Sequence, residues 1–148
     1  MSKRTFDKIV ENRRMTVTNT VKNTTVLTAP DEYTLERLVG FFQWVQDEAN
    51  AVVNCAFEVV IWPSGTSVYA LAVDQQIDKG DSYWSLFKGQ ITTRTAATPD
   101  NYPVVVIPFD LTIRRKIEKD DLIVVRAISN SANANYLNFT ATVILREY

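Results

Sequence analysis

The stretch MTVTNTVKNTTVLTAP, at residues 15–30, decides the fold class of this chain. Residues 15–21 alternate between apolar and small polar side chains, and residues 24–28 again concentrate valine and threonine. β-Branched side chains in this pattern fit a half-buried pleated strand better than a helix. The sequence APDE at residues 29–32 is then a turn signal. We therefore predict two strands here, followed by a turn.

The rest of the chain continues in the same style, and turn-forming residues separate its apolar segments. Further strands are predicted at residues 33–45, 51–62, 67–73, 83–93, 102–113, 122–128 and 136–146. No segment is a convincing long helix. About eight strands at this spacing predict an all-β sandwich or barrel.

One segment, YTLERLVGFFQWV at residues 33–45, fits two kinds of secondary structure. Leu35, Leu38, Val39 and Phe42 fall on one stripe of a helix, whereas the aromatic side chains and Gly40 favour a strand. We predict a strand.

Length and composition are those of one folded domain. The chain has 148 residues, of which 46% are hydrophobic and 22% charged, and its net charge is −1. No apolar run approaches the roughly 18 residues of a membrane span, and we expect no contact with a membrane. The first residues lack the apolar core of a secretory signal.

The composition also excludes most catalytic chemistry. There is no histidine, one cysteine (Cys55) and four glycines, which excludes Ser-His-Asp and Cys-His sites, cysteine–histidine zinc sites and glycine-rich phosphate loops. Cys55 lies in an apolar run, where we expect a buried, inert thiol. Asp120 and Asp121 are expected in a solvated turn. We expect no enzyme, cofactor or metal, although carboxylates converging from separate strands stay an alternative.

Several aromatic side chains allow an alternative function, carbohydrate binding. They fill the core or a subunit contact, or they form a surface on which sugar rings stack, as in a carbohydrate-binding module. The residues concerned are Trp44, Trp62, Trp84, Tyr83 and Tyr102.

Positive charge concentrates at the start of the chain. Five basic residues, Lys3, Arg4, Lys8, Arg13 and Arg14, stand against two acidic ones within residues 1–14. A short basic arm of this kind has little structure of its own and neutralises nucleic-acid phosphates without reading bases. An ordinary solubilising tail is the alternative.

Three stretches resemble the jelly-roll capsid proteins of small circular single-stranded DNA viruses. The first is TTVLTAP at residues 24–30 with YTLERLVG at residues 33–40, which in that family spans the first two core strands. The second is FDLTIRRKIEKDDL at residues 109–122, which joins two late strands, and the third is FTATVILR at residues 139–146, in the final strand.

The resemblance implies a single jelly roll of two four-stranded antiparallel sheets at residues 15–148, preceded by the arm at residues 1–14. It implies a structural protein of the virion, many copies of which form an icosahedral shell, sixty in the simplest case. The genome enclosed would be single-stranded DNA, contacted by Lys3, Arg4, Lys8, Arg13 and Arg14. Many such proteins carry a long arginine-rich arm, whereas this chain has five basic residues in its first 14. Arg114, Arg115 and Lys116 form a second basic cluster, for which we expect solvation or ion pairing.

Overall fold

A computed structural model describes residues 6–48, 52–63, 84–94 and 104–147. These ranges contain eight strands: β1 (Phe6–Val17), β2 (Lys22–Thr28), β3 (Tyr33–Val45), β4 (Val52–Trp62), β5 (Trp84–Arg94), β6 (Val104–Ile117), β7 (Leu122–Ser129) and β8 (Asn135–Glu147). The strand predicted at residues 67–73 lies outside the described residues, as do Lys3 and Arg4.

The strands form two four-stranded antiparallel sheets. Sheet A has the order β1-β8-β3-β6, and sheet B has the order β2-β7-β4-β5. The chain crosses between the sheets at every connection except the one from β4 to β5. This arrangement is the single jelly roll that was expected, so the predicted fold class is confirmed.

Alternation along each strand places the core between the sheets. In β8, for example, Leu137, Phe139, Ala141 and Val143 are buried, whereas the residues that alternate with them are partly exposed. A phenylalanine cluster joins the two sheets at the centre. The ring of Phe42 on β3 lies 4.6 Å from that of Phe57 on β4 and 5.9 Å from that of Phe139 on β8, measured between centroids.

The ambiguous segment at residues 33–45 is the strand β3, as predicted. It lies inside sheet A, paired with β6 on one side and with β8 on the other. Gly40 is required there because a Cβ at this position would overlap the carbonyl oxygen of Thr140 on β8. The choice of strand over helix is therefore decided by pairing on both sides.

The start of the chain differs from the prediction. Residues 6–14, which were assigned to a loosely structured arm, belong to β1 and pair continuously with β8. The boundary predicted between residues 14 and 15 therefore falls inside a strand. The physical reason is that β8 offers a free edge, and pairing there satisfies the backbone N–H and C=O groups of the basic segment. β1 also ends at Val17, earlier than the predicted strand.

Candidate functional site

The outer face of sheet A carries a basic strip along its edge strand β1. Met15 and Val17 are buried in the core, so Lys8, Asn12 and Arg14 project from the opposite face, where they are exposed. The Arg14 guanidinium lies 3.9 Å from the centre of the Tyr136 ring on β8. This face therefore presents two cations about 20 Å apart along β1, and one of them, Arg14, lies over an aromatic ring. Such an arrangement suits a polyanion that carries planar bases.

Arg13 lies on the other side of β1 and has partners within the chain. Its guanidinium forms an ion pair with Glu11 at 2.7 Å and donates a hydrogen bond to the carbonyl oxygen of Val26 at 3.3 Å. Of the five residues predicted to bind nucleic acid, the structure thus brings Lys8 and Arg14 onto one face and turns Arg13 away from it. Nucleic-acid binding by these residues stays a prediction.

The opposite half of the same outer face is mostly apolar, with the polar Gln43, which accepts a hydrogen bond from Asn138 at 3.3 Å, placed among its apolar residues. We define the β3–β6 patch as Val39, Phe41, Val45, Val104, Val106 and Pro108, which face outward on β3 and β6. Phe41 is paired with Pro108, and Val45 with Val104. Phe41, Val104 and Val106 are 41%, 53% and 54% exposed. Sequence reasoning missed this patch because an apolar side chain on the outer face looks the same as one in the core.

An ion pair closes one end of the β3–β6 patch. Arg37 on β3 donates two hydrogen bonds to the carboxylate of Asp110 on β6, one from Nε to Oδ1 at 2.7 Å and one from Nη2 to Oδ2. The hydrogen bond from Arg37 lowers the pKa of Asp110 below its ordinary value of 3.8. The charges at this end of the patch therefore neutralise each other.

We expect the pKa of Asp110, followed by NMR of its side-chain carboxyl carbon, to lie below 3.8 and to return toward that value in an Arg37→Gln variant. Because the folded-state pKa is depressed, the pair stabilises the fold above the unfolded-state pKa. That contribution is lost as the pH falls through the folded-state pKa. A pKa that is the same in both proteins would show that the pair does not form in solution.

A row of polar and charged residues crosses the outer face of sheet B. It runs through Asn23, Arg126, Glu58 and Lys88, one residue from each strand. Arg126 and Glu58 are fully buried. The guanidinium donates to Oε1 of Glu58 at 3.3 Å and to Oδ1 of Asn23 at 3.1 Å, and Lys88 Nζ lies 3.5 Å from Oε2 of Glu58. Because each charge lies near an opposite one, the row is structural. Sequence reasoning missed it because Glu58 interrupts an apolar run without any local motif.

Two residues of the second basic cluster, Arg114 and Lys116, form ion pairs, as expected. Lys116 Nζ lies 2.5 Å from a carboxylate oxygen of Glu32 and 3.4 Å from one of Glu118. Arg114 lies 4.0 Å from Glu36. These cations are therefore less available to an external polyanion than Lys8 and Arg14.

The turn at Asp120 and Asp121 is solvated only in part. Asp120 is exposed, but Asp121 is buried, and its Oδ2 accepts a hydrogen bond from the Glu118 N–H at 2.8 Å. The backbone N–H of Ala29 donates to the carbonyl oxygen of Asp121 at 2.8 Å. The prediction was therefore wrong for Asp121. Its carboxylate closes the β6–β7 turn on itself, and its backbone carbonyl joins that turn to Ala29 just after β2.

The candidate stacking and nucleophilic residues are buried where the structure describes them. Trp44 and Trp62 have no exposed surface, and Trp44 Nε1 donates to Thr93 Oγ1 at 3.0 Å. Neither ring is accessible to a sugar, whereas the side chains of Tyr83, Trp84 and Tyr102 lie outside the described part. Cys55 is also buried, as expected, and burial raises the pKa of its thiol to about 12.

Among the residues that the structure describes, no group of three or more cysteine, aspartate or glutamate side chains is placed to hold a metal ion. In the same ranges, no helix is long and apolar enough to cross a bilayer.

Comparison with known proteins finds likeness of fold alone. No family model matches the chain, and no curated protein matches it. Among solved structures, a Bacillus endospore appendage, from disulfide-linked pili, is 14% identical, with a TM-score of 0.47 over 99% of this chain and 93% of that one. The 60-mer BFDV capsid protein is 8% identical, with a TM-score of 0.44 over 98% of this chain and 93% of that one.

A third solved structure comes from a larger chain. The structure of the infectious bursal disease virus Gx strain is 6% identical, with a TM-score of 0.39 over 99% of this chain. The chain spans 32% of that protein's length. The structural neighbours thus include viral capsid proteins as well as a pilus subunit.

Proposed function

We propose that this chain is a non-enzymatic coat protein, many copies of which assemble into a closed shell around a nucleic-acid genome in a virion. The observation that carries the proposal is the division of the outer face of sheet A, with exposed cations on β1 and the β3–β6 patch on the other half. One rigid face thus offers a contact for a polyanion and a contact for a protein. The resemblance noted in the sequence supports the same function.

The jelly roll supplies the rigid block that a shell requires. Its core is continuous between the two sheets, and the phenylalanine cluster fixes them relative to each other. Each contact between copies can be weak because a closed shell makes many of them at once. A net charge of −1 limits long-range repulsion between copies.

We propose that Lys8 and Arg14 contact the genome, together with Lys3 and Arg4, which precede them in the sequence. Lys8 and Arg14 are exposed, and neither forms an ion pair in the described structure, unlike Arg13 with Glu11. Tyr136, held under the Arg14 guanidinium, offers a ring edge to a base. The assignment of the genome as single-stranded DNA rests on the sequence resemblance.

A Lys8→Ala/Arg14→Ala double variant tests the genome contact. We expect particles with the same number of protein copies as the wild type but with less co-purified nucleic acid, shown by a lower ratio of absorbance at 260 nm to absorbance at 280 nm. Because each phosphate contact on a single strand adds about 0.7 to the slope of log affinity against log salt, two lost contacts lower that slope by about 1.4.

Two matched controls accompany that experiment. Lys119→Ala/Lys22→Ala removes two exposed cations from other parts of the surface, and Arg13→Ala removes the cation paired with Glu11. We expect both to retain the nucleic acid of the wild type. If the double variant also retains it, or if the controls lose as much, the proposed genome contact is wrong.

A further inference from the structure

We infer that the β3–β6 patch is a contact between subunits, in which the patch of one copy packs face to face on the same patch of a second copy. The inference rests on the proposed function, because it names the surface through which copies of the chain meet. It is independent of the genome contact, which lies on the other half of the sheet.

Exposed hydrophobic side chains are concentrated in this patch. In the described part of the chain, five large hydrophobic side chains are exposed, and three of them, Phe41, Val104 and Val106, belong to the patch. Their neighbours Val39, Val45 and Pro108 extend the apolar surface along the same two strands. Gln43, paired with Val106, lies among these residues. Apolar residues clustered in this way indicate an interaction site better than scattered single residues do.

Pro108 indicates how the second copy binds. Among the strands that the structure describes, β6 is at the edge of sheet A, and an edge strand is a template for pairing with another strand. Proline has no N–H to donate, and it is one of the means by which edge strands resist such pairing. We therefore place the contact on the face of the sheet, where the proline ring adds apolar surface.

Charge favours protein over nucleic acid as the occupant. The cation at the border of the patch, Arg37, is already bound by both carboxylate oxygens of Asp110. The six residues of the patch are all uncharged. Two such patches can therefore meet without like-charge repulsion, whereas a polyanion would gain nothing from them.

Area explains why the contact belongs to a many-copy assembly. The patch extends for about seven residues along two adjacent strands. Its length is therefore about 20 Å, its width about 10 Å and its area roughly 200 Å². A stable isolated dimer buries about 800 Å² on each partner. The patch alone is too small for that, but a contact of this size is sufficient when it is repeated around a closed shell together with others.

A charge placed in the patch tests the inference. We expect Val106→Glu to raise the protein concentration needed for particle formation by about tenfold or more, since a carboxylate would be buried in an apolar contact. Val52→Glu is the matched control. Val52 is a 43% exposed valine at the start of β4 in sheet B, away from both the patch and the cations of β1, and its variant should assemble like the wild type. Circular dichroism and urea unfolding check that each variant is folded.

A cysteine variant keeps the test decisive if Val106→Glu does not fold. Two copies of Val106→Cys, assembled and then oxidised, should form a cross-linked dimer, whereas Val52→Cys should not. The native thiol is buried at Cys55 and does not interfere. Normal assembly of Val106→Glu, equal loss in Val52→Glu, or no selective cross-link would overturn the inference while the shell stands. A wild-type chain that never assembles would instead overturn the proposed function.

Discussion

Phe42→Ala is expected to lower the free energy of unfolding by about 3–5 kcal/mol. The Phe42 ring is buried and contacts rings from both sheets, with centroids 4.6 Å from Phe57 and 5.2 Å from Phe109. Truncation loses the transfer free energy of the ring and leaves a cavity where the two sheets meet. Urea unfolding of the dissociated protein, followed by tryptophan fluorescence, measures the effect.

The adjacent residue provides the control for that experiment. Phe41 is 41% exposed on the outer face of sheet A, so Phe41→Ala removes the same number of atoms without opening a core cavity. We expect its unfolding free energy to change by much less than that of Phe42→Ala. Equal losses in the two variants would contradict the register of β3, because a shift of one residue exchanges the two faces.

The second large effect is expected at the buried ion pair on sheet B. Removing one partner, as in Arg126→Met, leaves the Glu58 carboxylate buried with Lys88 at 3.5 Å as its remaining ion-pair partner. We expect a loss of about 3–5 kcal/mol in the free energy of unfolding, the usual cost of removing one partner of a buried ion pair. Glu58→Leu should cost a similar amount, since it leaves the Arg126 guanidinium buried without its carboxylate.

The double variant Glu58→Leu/Arg126→Met separates the pair from its surroundings. Replacing both charges with apolar side chains of similar size removes the buried charge altogether, so we expect it to be more stable than either single variant. A double-mutant cycle from urea unfolding gives the coupling energy. If the two single losses simply add, Arg126 and Glu58 do not interact as the structure shows.

The fold was predictable from the sequence where alternation and turn signals agree. The segments at residues 24–28, 122–128 and 136–146 alternate or end at polar turns, and they match β2, β7 and β8 within two residues. The segment at residues 33–45 was harder to assign, because its apolar residues also fit a helix. Its aromatic side chains, Gly40 and the family resemblance together favoured a strand. Pairing on both sides decides it, and this is a tertiary effect that local sequence does not contain.

The candidate site was predictable in part. The sequence indicated that Lys8, Arg13 and Arg14 could bind a polyanion. Because these residues were assigned to a loose arm, the sequence did not predict that Arg13 faces the opposite side of a strand from Lys8 and Arg14. β1 was missed because its basic residues reduce the apolar alternation, and only the free edge of β8 makes it a strand. The β3–β6 patch and the Glu58–Arg126 pair depend on register between distant strands, which no local pattern of residues encodes.

Assembly into a shell is tested most directly by the native mass of the full wild-type chain, measured by light scattering across a range of protein concentrations. We expect uniform particles whose protein mass is near 1 MDa for a sixty-copy shell, since each chain has a mass of 16.8 kDa. A folded species that stays at the mass of a single chain at every concentration would contradict it.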